Sequence, residues 1–148
     1  MKKLLLIIFL LCHSQNLWAA FNIKNYIEDA ENLNMKMEKL IFVYNKGLQC
    51  ESNLQYKNKI NKKACSYFLK NFLISSEEFI RVEKEFAKKY KPAILNEEKN
   101  ITKSYLTMNA SQQKNFKELH KKIKKSANYI VETSYDQYAL YEKLKKLI

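Results

Sequence analysis

Glycine and proline are almost missing: Gly47 and Pro92 are the only examples in 148 residues. Loops whose backbone closes around a ligand commonly need glycine, so the chain has little material for such a loop. Phosphate loops, nucleophile elbows and zinc-protease helices leave no trace in the sequence. Arginine is equally scarce, with Arg81 alone against a large lysine excess. Arginine is the residue expected where phosphate is read by paired hydrogen bonds, so its scarcity argues against nucleic acid as a partner. Histidine is limited to His13 and His120. Strand-like alternation bounded by turn dipeptides is absent, which excludes a β-rich fold and leaves an all-α one.

The single long apolar run is Leu4 to Leu11, behind Met1-Lys2-Lys3 and ahead of Trp18-Ala19-Ala20. This is the three-part layout of a secretory leader. Eight apolar residues make about 12 Å of helix, far short of a ~30 Å bilayer core, so the run is not an anchor. Cleavage after Ala19 or Ala20 is expected, giving residues 1–20 as leader and 21–148 as one domain. Cys12 follows Leu11, which is too large for the small residue that precedes a lipidated cysteine. The expected location is the periplasm of a Gram-negative bacterium, or the medium.

Processing removes Lys2 and Lys3, so the net charge falls from +12 to +10. The excess of Lys, Asn, Ile and Tyr reads either as the codon usage of an AT-rich genome or as a selected cationic surface. Of the three cysteines, Cys50 and Cys65 remain. A lone pair in an oxidising compartment reads as a disulfide. Two cysteines without a nearby histidine cannot complete a zinc shell, so no metal or cofactor is expected.

What is abundant is heptad spacing. Phe116, Ile123, Ala127, Ile130, Ser134, Tyr141, Leu144 and Ile148 fall on one stripe, with His120 and Gln137 filling it. The pattern predicts a helix from about Ala110 to Leu147, capped by Asn109 or Ser111. At 1.5 Å per residue it is roughly 57 Å long. A sphere of this mass is only about 36 Å across, so the helix must overhang, bend or pair with a second chain. A second stripe, Ile23, Ile27, Ala30, Asn34, Met37, Ile41, Tyr44 and Leu48, predicts a helix from Ile23 to Lys46 with Gly47 as a left-handed cap. Asn34 on that stripe either sets register or lies at a wet edge.

Ile60, Ala64, Phe68 and Phe72, with Cys65, Leu69 and Leu73 beside them, predict a helix from about Asn53 to Leu73. The disulfide would then join the end of the first helix to the middle of the second, in an antiparallel hairpin. Ser75 to Glu78 matches a capping box and Ile74 to Phe79 a hydrophobic staple, predicting a new helix from Ser76 to Tyr90. Lys91-Pro92 should end or kink it. Ala93 to Met108 carries a weaker stripe, either a fourth short helix or a continuation. The expected fold is a bundle of four to five helices with a long C-terminal helix and one disulfide.

Chemistry is harder to find. His120 lies on the buried stripe without a local partner motif, which suits a hydrogen-bonded helix histidine. Glu77 and Glu78 point about 100° apart and cannot converge on one bond. Asn100-Ile101-Thr102 and Asn109-Ala110-Ser111 match the glycosylation sequon, which matters only in a eukaryotic secretory path. The chain therefore reads as non-catalytic. Lys121, Lys122, Lys124 and Lys125 fan out around Ile123 as a solvated face that could meet an acidic surface. Tyr129, Tyr135, Tyr138 and Tyr141 decorate the last third of the helix, and tyrosine suits half-wet contact sites. These eight residues form the candidate interaction surface. Expected partners are another envelope or secreted protein, a second copy of the chain, or an anionic membrane surface. The first makes it an envelope accessory, an adaptor, or an immunity or inhibitor protein. The alternatives are a secreted cationic effector acting on membranes or host partners, and a small helical hydrolase. An exposed amphipathic face on the long helix would favour the effector. A pocket converging His120 or a glutamate with tyrosines would favour the hydrolase.

Overall fold

The computed structural model describes residues 22–57, 62–96 and 104–147. These residues form three long helices and no strand. Helix α1 is Ile23–Lys57, α2 is Lys62–Asn96 and α3 is Ala110–Leu147. A short helical turn at 104–106 precedes α3. The expected leader, the Asn58 to Asn61 part of the predicted second helix, the sequon at Asn100, and Ile148 lie outside the described residues.

The caps explain where two of the helices start. Asn22 accepts hydrogen bonds from the amides of Lys24 and Asn25 at 3.0 and 3.2 Å. Asn109 accepts one from the Gln112 amide at 2.9 Å, and the Gln112 side chain accepts one from the Asn109 amide at 3.0 Å. That reciprocal pair satisfies two otherwise orphaned donors. The start and end of α3 agree with the heptad reading, and Asn109 rather than Ser111 is the cap.

Helix α1 runs antiparallel to α2 and parallel to α3. Cys50–Cys65, Lys36–Glu78 and Lys89–Asp29 pair α1 with α2 in opposite directions. Tyr26–His120 and Glu51–Lys143 pair α1 with α3 in the same direction. The result is an up-down-up bundle with α1 in contact along both neighbours. Leu33, Met37, Leu40, Val43 and Tyr44 of α1 meet Phe68, Phe72 and Val82 of α2 and Ile130, Leu140, Tyr141 and Leu144 of α3 in one core. A second cluster of Tyr26, Ala30 and Tyr90 closes the end near Phe116. Because α1 is sandwiched, it buries a broader strip than one heptad stripe, and Leu48 on the predicted stripe is exposed instead.

Four expectations about boundaries are overturned. Gly47 does not cap α1: it is a buried residue inside the helix, which continues to Lys57. A Cβ at Gly47 would lie 2.9 Å from Phe68 Cδ2 and Cε2 and 3.0 Å from Leu140 Cδ2. The glycine is there because three elements meet too closely for any side chain. Second, the helices predicted on either side of Ser75 are one helix, α2. Ser75 is buried, and its hydroxyl has no hydrogen-bond partner, so it caps nothing. Its partner in the supposed box, Glu78, instead receives hydrogen bonds from Lys36 and Lys39 at 3.2 and 3.0 Å. Third, α2 runs through Lys91-Pro92 to Asn96, so the end predicted at Tyr90 is overturned and the continuation past the proline is the alternative that holds.

Fourth, the disulfide joins the last third of α1 to the first turn of α2, with 5.0 Å between Cα atoms. The disulfide itself and the antiparallel hairpin stand as read. The overhang does not. Helices α1 and α2 have 35 residues each against 38 for α3, so each is over 50 Å long at 1.5 Å per residue. The bundle is a rod rather than a sphere, and α3 lies along it. Helix length therefore no longer implies a second copy.

Candidate interaction surface

Polar side chains within the bundle are used to tie helices together. At the Tyr26 end, His120 Nδ1 lies 2.9 Å from the Phe116 carbonyl, which can only accept, so this nitrogen carries the proton. In the neutral ring, Nε2 then accepts from the Tyr26 hydroxyl at 2.8 Å. Phe116 packs on the imidazole at 4.2 Å between ring centres. Burial, and then the neighbouring Tyr90, pushes the Tyr26 hydroxyl up to about 12. Beside it Asp29 accepts from Lys89 and Tyr90. Burial alone would raise the Asp29 carboxyl, but the two hydrogen bonds outweigh it and hold the group below its usual range. Both His120 nitrogens are engaged, one by the Phe116 carbonyl and one by the Tyr26 hydroxyl.

A shallow cleft of about 360 Å³ lies between α1 and α3, lined by Tyr44, Leu48, Glu51, Asp136, Ala139, Leu140 and Lys143. Lys143 bridges it to Glu51 at 2.7 Å. Burial first, then Tyr129, Asp136 and Glu51, pushes the Tyr44 hydroxyl up. Of the charges in the cleft, Lys143 and Glu51 pair with each other. Among the described residues no three His, Cys, Asp or Glu side chains are placed to hold a metal ion. No described helix is long and apolar enough to cross a membrane.

The tyrosines chosen from the sequence do not share one surface. Tyr141 is core, against Phe68 and Phe72 at 6.2 and 5.4 Å. Tyr129 is half-buried in the seam with α1, 6.4 Å from Tyr44. Only Tyr135 and Tyr138 stand open, at 71% and 57% exposure. Three residues is less than a full helical turn, so the row winds around the helix from core to solvent. Lys121, Lys122, Lys124 and Lys125 are all exposed, one half-helix away.

Two open apolar strips escaped the sequence reading. One follows the outer seam of α1 and α2: Met35, Phe42, Tyr67 and Ile74 are all exposed. Phe42 meets Tyr67 edge-on at 5.8 Å, and Lys46 covers its other face at 5.3 Å. The other follows the seam of α2 and α3. Glu78, Lys89 and Tyr67 mark the flank of α2 that faces α1. The opposite flank, toward α3, carries Leu69, Leu73, Ser76, Ile80 and Glu83. On α3 the corresponding flank carries Val131, Ser134 and Tyr138. Helices α2 and α3 touch far less than α1 touches either. Leu73, Ile80 and Val131 are accordingly 42%, 37% and 43% exposed. The seam is a furrow, not a closed joint. Its only sequence signal was an apolar face on α2 wider than one stripe, visible in Leu69 and Leu73 beside Phe68 and Phe72.

No protein-family model, curated protein or solved structure matches the chain.

Proposed function

We propose that the chain is an exported, non-catalytic interaction protein: a disulfide-stapled helical rod that presents a side surface to another envelope or secreted protein, as an accessory, adaptor or inhibitor. The observation that carries this reading is the pair of open apolar strips along the two outer seams of α2. Contiguous exposed apolar strips rimmed by charge are the usual mark of a protein-binding surface. The ordered polar groups serve as ties between helices, which supports a structural rather than catalytic use. The apolar face of α3, from Ile130 to Leu144, is buried against α1 and α2. That favours a folded partner-binding protein over an effector that lays this face on a membrane. The Cys50–Cys65 bridge is compatible with an oxidising compartment.

The test is photo-crosslinking in the periplasm. A benzophenone side chain is placed at Tyr138, at Phe42, or at exposed Lys122 as a control. Protein adducts from Tyr138 or Phe42, and none from Lys122, are the expected outcome. Adducts absent from both strips would remove the interaction reading.

A further inference from the structure

Resting on that interaction reading, we infer that the α2–α3 furrow is a groove for one amphipathic α-helix with acidic flanks and a basic residue set into its apolar face. Four observations specify this occupant. First, both walls of the furrow carry apolar residues. Leu69, Leu73, Ser76 and Ile80 on α2, with Val131, Ser134 and Tyr138 on α3, make an apolar trough with small residues at its centre. Small residues let a third backbone come close, and from Leu69 to Glu83 the trough is about 21 Å long at 1.5 Å per residue. That accommodates about four turns of helix and would complete a four-helix arrangement around α2 and α3.

Second, the rim is cationic. Lys70 and Lys84 on α2 and Lys121 on α3 take outer positions beside the trough, and Lys117, Lys124 and Lys145 prolong the line of Val131 and Tyr138 past its ends, against Glu77, Glu132 and Glu142. The whole chain carries +12. A second copy in the furrow would bring two lysine rims together, so like charge opposes self-pairing and favours an acid-flanked partner.

Third, Glu83 sits half-buried on the trough wall and forms no hydrogen bond or ion pair with a described residue. Burial raises its carboxyl, with Lys84 pulling weakly the other way. A carboxylate held partly out of water without a partner is costly, and a lysine or arginine from an incoming helix would relieve that cost. Fourth, the competing strip around Phe42 is less suited. Lys46 already covers Phe42, and the Glu78 bridges to Lys36 and Lys39 cut across that seam.

The test is a selection from a displayed library of helix-forming peptides on the oxidised mature protein. The double variant Ile80→Asp/Val131→Asp serves as counter-target. Both positions keep more than a third of their surface open, so the variant is expected to fold, and a cooperative thermal melt with parental helix content checks that it does. Enriched peptides are expected to carry apolar residues at i, i+3/i+4 and i+7, acidic flanks and one Lys or Arg within the stripe. A chosen peptide should lose about tenfold or more in affinity to Val131→Asp, the loss typical of a groove anchor. Glu83→Gln should weaken it several-fold only when the peptide keeps its basic residue. Raised salt should weaken binding throughout.

No enrichment, binders without acidic flanks, or binders indifferent to Val131→Asp would overturn the assignment. So would a dimer in sedimentation, or attachment to anionic phospholipid vesicles, that Val131→Asp abolishes. Crosslinks that map to Phe42 alone would overturn the furrow while leaving the interaction reading in place.

Discussion

Replacing Gly47 with alanine tests the packing of the whole bundle at one atom. The added methyl would come within 3.0 Å of Phe68 and Leu140. Leu140 Cδ2 is the end of a flexible side chain and can move. Phe68 cannot: it is fully buried and wedged between Phe72 and Tyr141, with ring centres 5.2 and 6.2 Å away. Overpacking a core by one methyl costs about 1–3 kcal/mol. Alanine in a helix interior returns about 1 kcal/mol relative to glycine. The balance predicts a net loss of about 1 kcal/mol, or about 3–6 °C in Tm for a chain of this size.

The sign alone would not settle the cause, because a glycine in a left-handed cap would also lose about 1 kcal/mol to alanine. The double-mutant cycle separates the two. If Phe68 is the obstruction, Gly47→Ala made in a Phe68→Leu background should be neutral or stabilising, with a coupling energy of about 1–2 kcal/mol. Urea melts of the four oxidised proteins give the cycle. Equal losses in both backgrounds would show that the glycine is needed for its backbone, and the close approach of α1 to α2 would be wrong.

Three further outcomes follow from the same packing. Ser75→Ala should raise the melting temperature or leave it unchanged, because it removes a buried hydroxyl with no partner and adds a better helix former; a fall of about 1 kcal/mol, the typical value of a lost cap, would restore the helix boundary there. Opening the Cys50–Cys65 bridge, by reductant or by Cys50→Ser with Cys65→Ser, should cost about 3 kcal/mol for its 15-residue separation, read as a shift in the guanidinium midpoint. Stability should fall between pH 10 and 12, since the unfolded chain ionises Tyr26 near 10 and the folded chain holds it neutral to about 12, on the order of 2–3 kcal/mol. Lys89 adds to the same trend: its folded value of about 12 means that its tie to Asp29 is intact below about 10.5 and lost as pH rises through 12. Tyr26→Phe should flatten the alkaline slope of Tm, and an unchanged slope would discredit the Tyr26 assignment.

The all-α class, the disulfide and the span of α3 could be read from the chain because each rests on short-range information. Heptad spacing, a cysteine pair and the Asn109 cap are all local. The furrow could not be read, since it depends on how far α2 and α3 stand apart. Leu73 looks like a core residue in the sequence, and Tyr135 and Tyr138 look like Tyr141. Which of them meets solvent is decided by where the third helix lies, and spacing along one helix does not encode that. Asn34 shows the same limit. It is buried and donates to Glu38 at 2.9 Å, which removes the wet-edge reading, while its carbonyl oxygen is left without a partner.

The misread boundary at Ser75 shows how two local signals compete. Ile74-Ser75-Ser76-Glu77-Glu78-Phe79 has the residues of a box and a staple, but a cap requires Ser75 to leave helical geometry. The positions Phe68, Phe72, Ser75, Phe79, Val82 and Phe86 keep the four-three spacing straight through it. A break at Ser75 would shift that register and turn Phe79, Val82 and Phe86 away from the core they share with Phe68 and Phe72. A cap contributes about 1 kcal/mol; burying Val82 and half-burying Phe79 and Phe86 contributes more than that, since full burial of one such side chain is worth about 1.5–3 kcal/mol. Burial outweighs the cap, and the serine is carried into the interior. Ser76 behaves alike one residue on: its hydroxyl donates back to the Phe72 carbonyl at 2.8 Å, a bond made only when the helix runs through. Where a capping motif falls within an unbroken apolar register, the register is the better guide.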